Sequence, residues 1–116
     1  MSAIRLAEKL AQFDDHWAPR RVASFNGHKV MVVKVLGEFN WHSHADTDDF
    51  FLVLEGEIDI EMPGKTVTLA KGDLYVVPAT VEHRPVARTE AHLLLIEKDG
   101  TPNTGDEATA AQLVDI

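Results

Sequence analysis

Glu57-Ile58-Asp59-Ile60-Glu61-Met62-Pro63-Gly64-Lys65-Thr66-Val67-Thr68-Leu69 is the stretch that decides the fold. Its first six residues alternate acidic and apolar without a break, which is the period of a strand with one buried and one wet face. Pro63-Gly64 then supplies the residues favoured at the second and third positions of a tight turn. Thr66 to Leu69 alternates again, so the segment reads as a β-hairpin. Outward from it the same grammar repeats. Upstream, Phe50-Phe51-Leu52-Val53-Leu54 is an apolar run closed by Glu55-Gly56, and Val30-Met31-Val32-Val33-Lys34-Val35-Leu36 is a β-branched run ended by Gly37. Downstream, Lys71-Gly72-Asp73 makes a turn before Leu74-Tyr75-Val76-Val77, which Pro78 stops. Residues 81–87 and 91–97 supply two further strands. Turns recurring about every 8 to 12 residues, with no long helix between them, predict an all-β antiparallel sandwich or closed barrel.

The flanks differ from this core. Ile4, Leu6, Ala7, Leu10 and Ala11 recur at helical spacing, so a short N-terminal helix is expected, with Ser2 as its N-cap and an end before Asp14-Asp15. Residues 100–106 are loop-like in composition, and residues 107–114 are expected to add one or two helical turns. No repeat or linker divides the 116 residues, and one domain is expected over 1–116.

Composition narrows the function classes. Apolar residues make up 45% and charged residues 26%, values of a folded globular chain rather than a disordered one. The absence of cysteine excludes disulfides, thiolate metal ligands and cysteine nucleophiles, and fits a reducing, cytoplasmic setting. The first thirteen residues carry Arg5, Glu8 and Lys9 among the apolar ones, which is not a signal-peptide pattern. No apolar run approaches the roughly 18 residues of a membrane span. A net charge of −8 repels phosphate backbones, and Arg20-Arg21 is the only adjacent basic pair, so no nucleic-acid partner is expected.

The residues that carry chemistry are histidines. His42 and His44 are two apart, so on a strand both imidazoles leave one face and can share an ion. Gly37 precedes His42 by five positions, Asp49 follows His44 by five, and Gly56 follows after six intervening residues. Further on, Gly72, Pro78 and His83 stand at intervals of six and five. Together, Gly37-x4-His42-x-His44-x4-Asp49-x6-Gly56 and Gly72-x5-Pro78-x4-His83 resemble the two motifs of the cupin superfamily. The resemblance runs from about Lys29 to Glu97.

That resemblance implies a small, RmlC-like jelly roll, or double-stranded β-helix, with a core of about residues 29–97. It implies a metal group of His42, His44, Asp49 and His83 for one divalent ion: Fe, Mn, Ni or Zn. Four such ligands leave two positions of an octahedral ion open, and open positions characterise a working site. Asp49 stands where the family usually has Glu, which leaves Asp48, and less so Asp46, as competing carboxylates. Thr80 and Ala87 replace a usual Gly and Asn, and the first motif is one residue short between its Gly and His. The implied activity is metal-dependent chemistry on a small organic molecule, of dioxygenase, isomerase or lyase type. The alternatives are a cupin that binds a ligand or metal without turnover, and a structural role with incidental histidines. A homodimer is also implied, with residues 21–25 as an exchanged strand.

No catalytic residue stands out; Tyr75, Glu82 and His92 are the candidate proton carriers. His92 shares strand parity with Leu94 and Ile96, a set that could face the interior, while Phe51, Val53, Ile58, Ile60 and Met62 are expected to line it. Such an apolar lining suits a small organic ligand. His16, His28 and Arg84 are expected to be exposed, and Trp41 to point away from the histidines. Arg88 is a candidate for holding an anionic group.

Overall fold

The computed structural model describes residues 2–106 and 108–116. In chain order its elements are α1 (Leu6–Leu10), β1 (Arg20–Phe25), β2 (His28–Glu38), β3 (Asp49–Glu55), β4 (Glu57–Met62), β5 (Lys65–Ala70), β6 (Leu74–Val77), β7 (Arg84–Lys98) and β8 (Val114–Asp115). The central hairpin forms as its alternation requires. β4 pairs antiparallel with β5, from Glu57 opposite Ala70 to Met62 opposite Lys65. Ile58, Ile60 and Met62 turn inward, where burial of each side chain is worth about 1.5–3 kcal/mol.

The strands run β5-β4-β7-β2-β1-β8, with β3 joined to β7 and β6 to β3. This sheet folds over one core to give a jelly roll, and the hydrogen-bonded ladder does not close into a complete barrel. All ladders are antiparallel except the short contact between β1 and β8. Met31, Val33 and Val35 of β2, Phe51 and Val53 of β3, and Leu93 and Leu95 of β7 meet the hairpin residues in the interior.

Where the sequence pattern suggests two strands, residues 81–87 and 91–97, there is one, β7, of 15 residues. Its first part pairs with β4 and its second with β3, while β2 runs along its other edge. The polar Arg88-Thr89-Glu90 that looks like a turn is an exposed stretch of continuous strand. Opposite it, β2 shifts register between Val35 and Gly37, and Gly37 takes φ 86°, so β2 runs on to Glu38 instead of ending. Gly56, at φ 84°, turns β3 into β4 against β7. A Cβ there would meet the Glu90 carbonyl oxygen at 3.0 Å, so the position needs glycine on both counts.

The helix is only Leu6–Leu10, and it starts after Arg5, which caps it with backbone alone. Ser2 lies too far upstream to serve as its cap. Leu10 and Phe13 cover Val32 on the outer side of β2. That cover explains why the β2 sequence is apolar on both faces rather than alternating. At the other end, Glu107 lies outside the described residues; residues 108–116 form no helix and end in β8 beside β1. β1 is therefore paired on both sides within its own chain.

Candidate metal centre

His42 and His83 are neighbours because their backbones are. The His42 N–H donates to the His83 carbonyl at 3.0 Å, and the His83 N–H to the His42 carbonyl at 2.9 Å. Two residues on, His44 leaves the same face as His42, and the Thr80 N–H donates to the His44 carbonyl at 2.8 Å. Asp49 opens β3, one strand face with Phe51 and Val53. All four side chains are buried, and their ligand atoms lie within 4.8 Å of one another. The Nε2 atoms of His83, His44 and His42 stand 2.8, 3.2 and 3.9 Å from Asp49 Oδ2.

Asp48 and Asp46 do not join them. Asp48 Oδ1 accepts from the Ala79 N–H at 2.9 Å and so braces the loop before His83, while Asp46 is exposed.

The hydrogen bonds at the far side of the rings decide the chemistry. His42 Nδ1 lies 2.9 Å from the Asn40 carbonyl, and His83 Nδ1 lies 2.9 Å from the Val81 carbonyl. A carbonyl only accepts, so both Nδ1 atoms carry hydrogen. In the neutral ring, Nε2 then bears a lone pair, and it is aimed at a carboxylate, which is also an electron-pair donor. His44 Nε2 is buried 3.2 Å from Asp49 Oδ2 without forming a hydrogen bond to it. Two lone-pair nitrogens and a carboxylate converging on one point, with the unpartnered His44 Nε2 beside them, repel one another unless protons or a cation sit between them. The donor set fits a divalent transition metal, with backbone carbonyls fixing the imidazole orientation.

The same crowding sets the ionisation. Burial pushes the Asp49 carboxyl up, but the close approach of the His42, His44 and His83 imidazoles outweighs it and holds the group well below the usual carboxylate range. Burial pulls His44 down, and Asp49, with Glu97 behind it, more than reverses this.

A cavity of about 40 Å³ adjoins the group, lined by His42, Asp49, Val33, Phe51, Leu93 and Leu95 on the inside and by Trp17, Phe39 and Asn103 nearer the mouth. Trp17 stacks on Phe39 with ring centroids 4.8 Å apart, and Phe39 meets His42 edge-on at 5.3 Å. Trp17 is pinned there by its indole N–H, which donates to the Leu36 carbonyl at 2.9 Å, and by a left-handed backbone at φ 60°.

Glu97 completes the lining, and the sequence reading passed over it. It is 3% exposed, its Oε2 has no hydrogen-bond partner among the described residues, and burial followed by the charge of Asp49 pushes its carboxyl up to about 7. The signal was present: Ala91, Leu93, Leu95 and Glu97 share one parity, and that parity is the inner one. His92, Leu94 and Ile96 face the outer side, which settles the facing that their shared parity left open. His92 there lies 3.4 Å from Glu90. Nor do the other suggested proton carriers line the cavity: Glu82 is exposed, and the Tyr75 hydroxyl lies 3.5 Å from Lys65 Nζ. His16 is held 2.8 Å from Glu90, and His28 bonds the Asn26 carbonyl at 2.8 Å. Trp41 lies outside, exposed, under the Arg84 guanidinium. Arg84 is only part-exposed, pairing with Glu61 and Glu38, and Arg88 pairs with the buried Asp59; neither lines the cavity beside the histidines.

Comparison with known proteins agrees with this geometry. The family model described as Cupin domain matches residues 29–97, more than half of the chain. The crystal structure of a cupin-2 domain containing protein from Shewanella frigidimarina NCIMB 400 superposes with a TM-score of 0.81 at 43% identity, covering 82% of this chain and 93% of that one. The uncharacterized protein YdbB of Bacillus subtilis (strain 168) is 38% identical over 64 residues, 54% of this chain, and the match spans 57% of the length of YdbB. Hydroquinone 1,2-dioxygenase from Sphingomonas sp. TTNP3, with 4-hydroxybenzoate bound, shares the fold at a TM-score of 0.73 and 24% identity, over 84% of this chain and 32% of that one. Among the described residues, no helix is long and apolar enough to cross a membrane.

Proposed function

The chain belongs to the cupin family, and from that premise we propose that it is a single-domain, metal-dependent enzyme acting on a compact, largely apolar small molecule. One divalent ion, Fe, Mn, Ni or Zn, would be held by His42, His44, Asp49 and His83. The observation that carries this reading is the fixed orientation of His42 and His83. With Nδ1 hydrogen spent on backbone carbonyls, both rings present Nε2 lone pairs to the point that Asp49 and the unpartnered His44 Nε2 also face. When bound, the ion supplies a Lewis acid or redox centre with open positions for substrate. The chain's own part is to hold those ligands rigid, exclude water with an apolar wall, and limit substrate size through a small cavity.

Elemental analysis of protein purified without a histidine tag, beside His83→Ala and Asp49→Ala, tests the metal reading. About one equivalent of metal in the wild type, lost in His83→Ala, supports it; wild-type protein that stays empty after reconstitution overturns it. Oxygen consumption by the loaded protein with phenols, diketones, thiols and keto acids tests the catalytic part. Phenols lead that panel because a structural neighbour is a hydroquinone dioxygenase.

The proposal includes a homodimer. β6 pairs with β3 alone and exposes Leu74 and Val76, an apolar edge of the kind that a second copy covers. Light scattering at micromolar concentration that returns a monomer would overturn this part.

A further inference from the structure

We propose that Glu97 selects the ligand: its carboxylate takes a hydrogen bond from a hydroxyl or amino group at the far end of a compact molecule whose near end occupies the metal group. This inference rests on the metal reading above.

Glu97 stands apart from the other buried carboxylates. Asp49 has the three histidines, and Asp59 has Thr68 and Arg88, each at 2.6 Å. Only His44 Nε2 and Glu97 Oε2 are buried side-chain polar atoms without a partner among the described residues. Lys29 stands opposite Glu97 in the β2–β7 ladder and its charge acts on that carboxyl, but its Nζ donates to the Thr101 carbonyl at 2.7 Å and makes no hydrogen bond or ion pair to Glu97. A buried carboxylate left without a donor is costly, so its retention calls for a role.

Its position supplies that role. Glu97 lines the same cavity as His42 and Asp49, in a wall otherwise apolar from Val33, Phe51 and Leu95. Of the two unpartnered atoms, His44 Nε2 belongs to the metal group that adjoins the cavity and Glu97 Oε2 to a residue of the cavity wall: the first needs a cation, the second a proton donor. A ligand with an electron-pair donor at one end and a hydrogen-bond donor at the other satisfies both, through the ion and directly. The cavity of about 40 Å³ has room for on the order of three waters, which restricts such a ligand to a few heavy atoms.

A matched pair of probes tests the inference on cobalt-loaded protein: 2-mercaptoethanol and 1-propanethiol are nearly the same size, and each has a thiol for the metal. Only the first has a terminal hydroxyl. Their affinities are read from the thiolate-to-cobalt charge-transfer band, and cobalt content is measured on every sample. Wild type is expected to prefer 2-mercaptoethanol about tenfold or more. Glu97→Leu should abolish that preference while holding one equivalent of cobalt, and Glu97→Gln, which keeps a carbonyl acceptor, should retain part of it. Equal affinity for the two thiols in wild type, binding of neither, or an unchanged preference in Glu97→Leu overturns the role of Glu97. Wild-type protein that takes up no cobalt overturns the metal reading itself, and the two failures are told apart by the metal analysis.

Discussion

Replacing Glu97 with Gln should change how the stability of the metal-free protein depends on pH. The Glu97 carboxyl is pushed from its ordinary 4.5 up to about 7 by burial and by the Asp49 charge. A folded-state value above the unfolded one means that the native state holds the proton more tightly. The stability tied to this group is thus fully present below about pH 4.5 and lost as pH rises through about 7. At about 1.4 kcal/mol per unit, the interval amounts to an upper limit of roughly 3 kcal/mol. Gln has nearly the same shape and no charge to bury, so the variant lacks this loss. In thermal melts of chelator-treated protein, Glu97→Gln should match wild type near pH 5 and exceed it by as much as about 10 °C near pH 8. The difference between the two proteins cancels the titrating groups outside the metal cluster, and His44, which Glu97 helps to raise, is the group whose own titration shifts with the variant. Metal loading should shrink it, because a cation near Asp49 offsets the repulsion that raises Glu97. Parallel curves from pH 5 to 8 would refute the reasoning, as would a variant less stable at pH 8. Either result would mean that ionised Glu97 has a partner, with Lys29 the first to examine.

Three further outcomes follow from particular contacts. Thr80 is a β-branched residue at φ 73° in the loop that positions His44 and His83; Thr80→Gly should raise the stability of the apoprotein by about 1 kcal/mol in urea unfolding, and a loss would show that the side chain makes up for its strain. Gly56→Ala should cost about 2–4 kcal/mol by the same assay, since its Cβ would press on the backbone of Glu90 and Ala91 as well as strain φ 84°. Metal at about 100 times its dissociation constant should stabilise the fold by about 2.7 kcal/mol, and the gain should vanish on chelation and on acidification, as protons displace the ion from the imidazoles; a melting temperature indifferent to chelator would count against binding.

The parts of the fold legible in the sequence are those where one physical rule acts alone. The 57–69 hairpin carries its alternation and its turn residues within thirteen positions, so local chemistry suffices. The grouping of His42, His44, Asp49 and His83 was legible through the resemblance to the cupin motifs rather than through any one rule, and the parity that Asp49 shares with the core residues Phe51 and Val53 agrees with it. Helix length was not legible, because α1 exists by covering Val32, a tertiary fact that helical spacing over Ile4 to Ala11 does not contain.

What the sequence left open with most consequence was the parity of β7, and the cause is instructive. In Ala91-His92-Leu93-Leu94-Leu95-Ile96-Glu97, apolar residues occupy both faces, because the outer face is itself covered: Leu94 packs against the cluster of Leu10, Phe13 and Val32 beneath the N-terminal segment. Alternation is then silent, and either set can be taken as the interior. Polar residues would decide, and here they point both ways. A histidine is a more familiar inhabitant of a metal cavity than an unpartnered glutamate, which keeps the set with His92 open as an internal one. Yet a one-residue slip exchanges every side chain between faces. The register of β2 against β7 places Glu97 opposite Lys29 and His92 opposite Lys34, and it is Glu97 that enters the cavity with Asp49. A buried charge that breaks the ordinary rules of core composition is thus the residue whose removal should tell most about what this site accepts.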